Sequence, residues 1–355
     1  MRIAVLTNAY PPESRGGAGR IAEAQVHLLE TAGHEVRVWR PDVFWFSASP
    51  WVRLRRHFGD LVSQSSCVRE INAWQPDVLL THNLTGCGFA TPKQIQKRGV
   101  RWIHTLHDVQ LFDPSGRVVD AKRVTLWQIG WAMLRQPALG HPNVVISPTA
   151  WLMRRHRRRG FFLHNRTRCE IVPNPGPTRE HHAHAVHHPL RLLFVGRVHP
   201  DKGSVLLAQL IKQLHQPFTM EIIGSGPDSE MLRNLSPCVH LMGELDQQCV
   251  HERMMVNDIL LVPSCIEENQ PTVIVEAAAV GLPVIASHKG GIIETLGRAG
   301  ITCSPTNPPA WLEAIEILSD PGMYARHVAR MEEMSSHHDP MVYRTRLLSL
   351  LKSKW

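Results

Sequence analysis

Residues 261–286 read LVPSCIEENQPTVIVEAAAVGLPVIA, and the fold turns on how this stretch is parsed. The apolar run Ile259 to Val262 stops at Pro263, and a loop carrying Glu267 and Glu268 follows. Pro271 stands where a helix takes its first residue, because the N–H that proline lacks goes unbonded there in any case. Gly281 and Pro283 end that helix, and Val284 to Ala286 begin another strand. Strand, acidic loop, helix and strand form a βαβ unit of a parallel sheet, since parallel neighbours need a crossover between them. In open sheets of this kind ligands bind beyond the carboxyl ends of the strands, where this loop must sit. Two of its carboxylates carry the argument: Glu268 before the helix and Glu276 within it, eight residues apart. A bend, rather than helical periodicity, therefore decides whether they face one cavity. A carboxylate accepts from two neighbouring hydroxyls at once, which suits a ribose 2′,3′-diol or a sugar ring. The plainer alternative is a solvated acidic loop and a helix-surface glutamate.

The same residues, PSCIEENQPTVIVEAAAVGLPVIAS from Pro263 to Ser287, resemble the Glu-x7-Glu signature of retaining nucleotide-sugar glycosyltransferases of family 4. The resemblance implies the GT-B fold: α/β, with two Rossmann-like doubly wound parallel-sheet domains facing a central cleft. It also implies that Glu276 holds the nucleotide ribose and that Glu268 meets the transferred sugar. Asn269 stands where the family commonly has glycine and Gln270 where it has an aromatic; with Pro271 and Thr272 they complete the donor-binding stretch implied by the resemblance.

At 355 residues the chain accommodates two domains of roughly 150 to 200 residues. We expect an acceptor domain over 1–177, a linker over 178–189 and a donor domain over 190–335, with a terminal helix at about 340–355 returning to the first domain as in the family. No run of about 18 apolar residues suggests a membrane-spanning helix. MRIAVLTNAYPP at the start reads as a first strand without a cleavage signal, and the location expected is cytoplasmic. Seven scattered cysteines, without any CxxC spacing, suit a reducing compartment rather than a disulfide frame or zinc. A formal charge of +8 calls for an anionic partner: nucleotide phosphates, a phospholipid surface or nucleic acid.

The second half restarts with the strand Leu190 to Val195, followed by Gly196-Arg197-Val198-His199-Pro200-Asp201-Lys202-Gly203. A guanidinium and an ammonium beyond a strand end make a clamp for a diphosphate, the first as a bidentate fork and the second as a point charge. The stretch resembles the family's Gly-Arg…Lys-Gly pattern, so Arg197 and Lys202 are the expected phosphate ligands. Gly224-Ser225-Gly226-Pro227 resembles the turn that lines the family's nucleotide pocket, with Gly224 and Gly226 as donor-binding candidates. Val239 to Gly243 and the segment Asp246 to Met255 follow in family order, where backbone groups meet the base. Gly290-Gly291-Ile292-Ile293-Glu294 resembles the family's Gly-Gly-x-x-Glu, whose paired glycines leave room for donor and backbone.

In the first half, the strand Ile3 to Thr7 is followed by a loop and by Gly16, Gly17 and Gly19, which open the helix Ile21 to Ala32. Gly17 to Ala22 matches a dinucleotide fingerprint on paper, but about eight loop residues precede it. Arg40 also stands where an acidic ribose ligand belongs, so a nicotinamide enzyme is disfavoured. Free N–H groups at that helix start would still suit an anion, which makes Gly16 and Gly17 candidates beside the donor phosphates; a turn using φ > 0 is the alternative. The strands Asp77 to Thr81 and Val100 to Thr105 run into His82-Asn83-Leu84-Thr85-Gly86 and Leu106-His107-Asp108. His107 resembles the family's strand-end histidine, which contacts the transferred sugar or its phosphate. Histidine can donate to either and titrates near neutrality. His82 and His104 rank below it, closer to ordinary buried histidines.

The helix after Val144 to Ser147 reads WLMRRHRRRG from Trp151. It is either a solvated basic face or a surface helix on anionic lipid, with Trp151, Leu152 and Met153 as anchors and Arg154, Arg155, Arg157, Arg158 and Arg159 as the charge. Trp51 to Phe58, WVRLRRHF, has the same mixture. The histidine-rich stretch within 178–189 reads as the linker rather than a metal site. The function expected is transfer of a sugar from a nucleotide-diphosphate donor to a saccharide or lipid-linked acceptor, without cofactor or metal, with an anionic membrane surface as a further partner. Nucleic acid is not expected, since no recognition motif is present. The rivals are an inert GT-B scaffold on anionic lipid or polymer, and phosphorolysis or epimerisation on the same fold.

Overall fold

A computed structural model of the chain describes residues 1–12, 16–41, 51, 58–61, 67–116, 118, 124–180 and 184–352. Two compact units are present, one of Met1–Asn174 with Met341–Trp355 and one of Pro175–Pro340. In the first, the order is β1 Arg2–Leu6, α1 Gly17–Glu30, β2 Glu35–Trp39, α2 Cys67–Trp74, β3 Val78–Thr81, α3 Thr91–Gln96, β4 Arg101–Thr105, α4 Leu126–Leu139, β5 Val144–Ser147, α5 Ala150–Arg157 and β6 Arg168–Ile171. The second has β7 Leu190–Val195, α6 Ser204–Gln213, β8 Phe218–Ile223, α7 Ser229–Arg233, β9 Val239–Gly243, α8 Gln247–Val256, β10 Ile259–Val262, α9 Thr272–Ala279, β11 Val284–Ser287, α10 Ile292–Leu296, β12 Ile301–Cys303, α11 Pro308–Ser319 and α12 Pro321–Ser336. A last helix, α13 Pro340–Lys352, follows.

Each unit is built on a six-stranded parallel sheet, ordered β2-β1-β3-β4-β5-β6 in the first and β12-β11-β10-β7-β8-β9 in the second. Counted from β7, the second order is the doubly wound 3-2-1-4-5-6, and its direction reverses between β7 and β10. That reversal parts the connecting loops on either side, so the carboxyl ends of β7 and β10 open a crevice. These are the ends that carry Gly196–Lys202 and Pro263–Glu268.

The central strands are apolar on both faces because helices cover both, as parallel crossovers require, whereas the edge strands β2 and β6 are partly exposed. In β1, Ile3 and Val5 join a core with Val26, Leu29, Leu80, Ile103 and Ile146. Ala4 and Leu6 point the other way, to a core with Leu79, Trp102, Phe112 and Val145. Helix α13 completes the first of these layers with Tyr343, Leu347, Leu350 and Leu351. Gln25 of α1 donates to the Tyr343 hydroxyl, so a polar contact also fixes the returning helix.

Several expectations are corrected here. Pro271 is not the first helical residue; at φ −61° and ψ 120° it is extended and precedes α9, which starts at Thr272. Leu152 and Met153 are buried in the core of the first unit and are not surface anchors. The two units divide between Asn174 and Pro175, beside the domain end expected at 177 and the linker expected over 178–189. Part of that stretch is docked on the second unit: His184 bonds the Val280 carbonyl at 2.7 Å, and His187 contacts the buried Asp258 carboxylate at 2.6 Å. Residues 181–183, residues 52–57 of the WVRLRRHF segment, and residues 62–66 of the helix that the sequence predicts over Leu61 to Trp74 lie outside the described residues. Helices α3, α4 and α12 are present where the sequence reading had assigned none.

If α13 supplies one wall of the first core, Leu347→Ala should lower stability by about 2–5 kcal/mol, the usual cost of a buried cavity. Met341→Ala, at an exposed position of the same helix, should change it by less than about 0.5 kcal/mol. Urea unfolding of the full chain measures both.

Candidate active site

The crevice loops of the second unit meet backbone to backbone. After β7, a single 3-10 turn, Pro200–Lys202, is capped by the His199 ring and closed by Gly203 in the left-handed region at φ +87°. A Cβ on Gly203 would lie 2.1 Å from the Pro263 carbonyl oxygen at the end of β10, so glycine is required for both conformation and space. Cys265 N–H donates to the Asp201 carbonyl at 2.8 Å and ties the two loops together. This join places the Lys202 ammonium 2.6 Å from one carboxylate oxygen of Glu268, while Ser264 donates its hydroxyl to the other oxygen. The pair is partly buried, where charge-assisted bonds are strong.

Glu268 is also held from below. Gly291 N–H donates to its carbonyl at 2.7 Å, and a Cβ on Gly290 would stand 2.4 Å from that same oxygen. The paired glycines therefore bring the α10 turn against the backbone of Glu268. Gly224 and Gly226 play a similar part on the other side. Cβ atoms there would lie 2.0 Å from the Gly196 oxygen and 2.1 Å from the Val198 oxygen. Val198 N–H donates to Ser225 at 2.9 Å. These two glycines pack the β8 turn against the loop that carries Arg197, whose side chain is exposed.

Glu276, buried on α9, lines a cavity of about 340 Å³ with Pro177, Glu180, Gln247, Gln248, His251 and Met254. Glu268 is not part of that wall. The two glutamates thus have different neighbours: one on Lys202, the other on a pocket floored by the start of α8. Asp246 caps that helix by accepting from Cys249 N–H at 2.8 Å, and His251 faces Glu180 at 3.1 Å. Gln247, Gln248 and His251 were not singled out from sequence. The available signal was a polar run directly after a strand-end glycine, Gly243, at the carboxyl edge of a parallel sheet. Of the donor-binding candidates, Gln270 is buried with its amide 3.4 Å from His338 Nδ1, Pro271 is buried beside it, and Asn269 and Thr272 are partly exposed.

In the first unit, the loops after β3 and β4 are joined by three successive rungs. His82 Nδ1 and His107 Nε2 lie 2.7 Å apart with their rings stacked at 5.1 Å; Asn83 donates to Asp108 at 2.9 Å; Thr85 donates to Gln110 at 3.0 Å. One ring must donate and the other accept, so the tautomers of His107 and of His82, a residue the sequence ranked low, are coupled. His104 instead points into the strand layer and bonds Thr81 Oγ1 at 2.8 Å. Burial depresses His107 and His156 to about 4 and His104 to about 3, and holds His82 well below the ordinary range. Burial pushes Asp108 up to about 6, against its bonds to Gln110 and Asn83. Gly16 has the extended conformation φ −71°, ψ 164° and Gly17 is the first residue of α1, so neither glycine is there to supply a positive φ; residues 13–15 lie outside the described set.

Comparison with known proteins gives this arrangement a family. Residues 189–320 match the model for glycosyl transferases group 1, and residues 15–180 match that for glycosyltransferase family 4. The chain belongs to glycosyltransferase family 4. It is 22% identical over 361 residues to the Bacillus subtilis (strain 168) protein named as a teichuronic acid biosynthesis glycosyltransferase, TuaC, covering 89% of this chain and 88% of that one. Two further relatives are matched over only 31% of their own length. Among solved structures, sucrose-phosphate synthase of Thermosynechococcus elongatus superposes with a TM-score of 0.76 at 18% identity, covering 99% of this chain and 98% of the other. Anabaena Alr3699/HepE in complex with UDP-glucose gives 0.72 at 16% identity over 100% of both. The family-4 chain is thus a glycosyltransferase of the two-domain, Rossmann-like GT-B fold.

Gly226→Ala should drive the β8 turn off Val198, at a cost of about 1–3 kcal/mol in urea unfolding; an unchanged midpoint would refute the backbone packing described. The buried histidines set a pH dependence. Unfolded histidines protonate near 6.5, so between about pH 6.5 and 4 the unfolded state binds more protons and stability falls as pH drops. Asp108 acts in the opposite sense, its contribution being lost as pH rises through about 6, but it is one group against four. The urea midpoint should therefore fall between pH 7 and pH 5, and less steeply in His107→Asn; a flat midpoint would contradict neutral burial.

Proposed function

We propose that this glycosyltransferase works with retention, moving a sugar from a nucleotide-diphosphate donor to a saccharide or lipid-linked acceptor in surface polysaccharide assembly. The observation that carries the proposal is the Lys202–Glu268 contact at 2.6 Å, held at the β7/β10 reversal by Ser264 and by four glycine-dependent backbone approaches. A cation beside an acceptor of hydroxyl hydrogen bonds suits the junction of a diphosphate and a sugar ring. There Lys202, with Arg197 on the same loop, would stabilise the charge that develops on the departing diphosphate. Glu268 would hold hydroxyls of the transferred sugar. Glu276 would hold the ribose, its carboxylate accepting from both hydroxyls, and the polar start of α8 would face the base.

The nucleotide-sugar class is supported by the neighbour solved with UDP-glucose, and the polysaccharide setting by the relative named for teichuronic acid biosynthesis. His107 is assigned to the sugar or its phosphate on the strength of the family resemblance, with its tautomer coupled to that of His82. No protein nucleophile is invoked. The cationic pair supplies the charge that a divalent ion would otherwise bring, so binding is expected with or without magnesium.

The test is a thermal-shift series with UDP, GDP, ADP and their common sugar conjugates, each with and without magnesium, because a ligand selective for the folded state raises Tm by mass action. One nucleotide family should shift Tm. Arg197→Ala and Glu276→Ala should each weaken binding about tenfold or more, as expected for a lost charged hydrogen bond. Transfer proceeding at the native rate in both variants would remove these roles.

A further inference from the structure

Helix α4, Leu126–Leu139, is apolar on its outer face, while its inner face mixes Trp131, Ala132 and Leu139 with buried polar groups. Its only charged residue, Arg135, is fully buried: the guanidinium donates to the Gln110 carbonyl and lies 4.6 Å from the Phe89 ring centre and 4.5 Å from that of Trp131. Gln128, on the same inner face, is also buried, donating to Asp113 at 2.8 Å and accepting from Arg159 at 3.0 Å. The outer face carries Leu126 at 88% exposure, Met133 at 70%, Trp127 at 56% and Leu134 at 48%. A helix on a water-facing surface has the reverse arrangement, with charge outside and an apolar stripe inside. Contiguous exposed apolar side chains of this kind mark an interaction site.

Beside this face a groove of about 780 Å³ runs between α4 and α5. One wall is apolar, with Val124, Ile129 and Met133; the other carries Arg154, Arg155, Arg158 and Arg159. Arg154 and Arg158 are exposed at its rim, and Arg155 lies over the Trp151 ring at 5.8 Å. Among the described residues, no Asp or Glu lines the groove, and none occurs in α4.

We propose that this face docks on an anionic phospholipid bilayer, with α4 lying in the plane of the interface. Its outer side chains enter the acyl boundary, and the α5 arginines meet the headgroup phosphates. Apolar residues flanked by guanidinium groups are the chemistry of interfacial helices, whose attraction combines buried apolar area with charge on anionic lipid. Charge complementarity selects this occupant over a second copy of the chain. A twofold contact through the same face would set Arg154 and Arg158 of one copy against the like residues of the other. The inserting element is thus α4, which the sequence reading had not assigned, while α5 contributes charge but keeps Leu152 and Met153 in the core. The inference uses no donor-site residue, so it stands or falls separately from the proposed transfer reaction.

The experiment is co-sedimentation of the full chain with vesicles of phosphatidylcholine alone and of phosphatidylcholine with phosphatidylglycerol, at low and high salt. The chain should pellet with the anionic vesicles at low salt and several-fold less at high salt. Leu126→Asp/Met133→Asp and Arg154→Glu/Arg158→Glu should each weaken vesicle binding about tenfold or more. All four positions are exposed, so these variants should keep the native urea midpoint and the native nucleotide shift. Failure to pellet with anionic vesicles, or native binding by the Leu126/Met133 variant, would overturn the proposal. So would a dimer in ultracentrifugation that Met133→Asp dissolves, which would give the face to a second copy.

Discussion

The geometry of the second unit rests on the close approach of one loop backbone to another at the carboxyl edge of the sheet. Gly203 against Pro263, Gly224 against Gly196, Gly226 against Val198 and Gly290 against Glu268 leave no room for a Cβ. Main-chain groups packed at this distance have few alternative arrangements, so the side chains they carry inherit their positions. The Lys202–Glu268 pair is a product of that packing. An ion pair alone would supply little, since two flexible side chains lose rotamer freedom when fixed. Here the carboxylate is already bonded by Ser264 and its peptide by Gly291, and the ammonium arrives on a turn locked by a left-handed glycine. Preorganisation of this kind lets electrostatic groups act without reorganising as charge moves.

The first unit solves a different problem. Its strand-end loops carry polar side chains that must be buried without loss of hydrogen bonds, and they are bonded to one another across adjacent strands. Residues 82, 83 and 85 meet 107, 108 and 110, a register that follows from β3 and β4 being parallel neighbours. The result is a set of buried, neutral histidines and an aspartate with a raised pKa at the edge of the sheet. Burial shifts His104 and His156, which have no proposed role, as far as it shifts His107. The inward-facing Arg135 extends the same logic, since it fills the interior with cation–π contacts and leaves the outside of α4 apolar.

Much of this was legible in the chain. Strands β5, β7 and β10 coincide with runs read directly from apolar and β-branched residues, because a strand buried on both faces needs no partner to be recognised. The run Ser147-Pro148-Thr149 reads as a cap for a helix beginning near Ala150, and Thr149 does cap α5 by accepting from Leu152 N–H. Pro271 was placed one residue too far into its helix, since sequence reports its fixed φ but not the ψ that decides whether the helix has begun. Helix α4 was missed because both of its faces carry apolar residues and its one charge is buried, which gives no conventional amphipathic signal. Leu152 and Met153 were given to the surface because arginines follow them, yet they are the buried positions of α5.

What the sequence determined by itself was the kind of object and the identity of its chemical groups. Parallel βαβ units follow from apolar runs and turn residues, the pair of doubly wound domains was what the family resemblance implied, and the Glu268–Glu276 spacing with the Gly-Arg…Lys-Gly run follows from local order along the chain. Only the tertiary structure decided which of those groups touch. Lys202 and Glu268 are 66 residues apart and meet at 2.6 Å, while Glu276, eight residues beyond Glu268, faces a separate pocket. Local propensity fixes the direction of each strand and the place where it ends. Strand order fixes which ends are neighbours, and that order is set by burial of both sheet faces across the whole unit, a quantity no single segment carries.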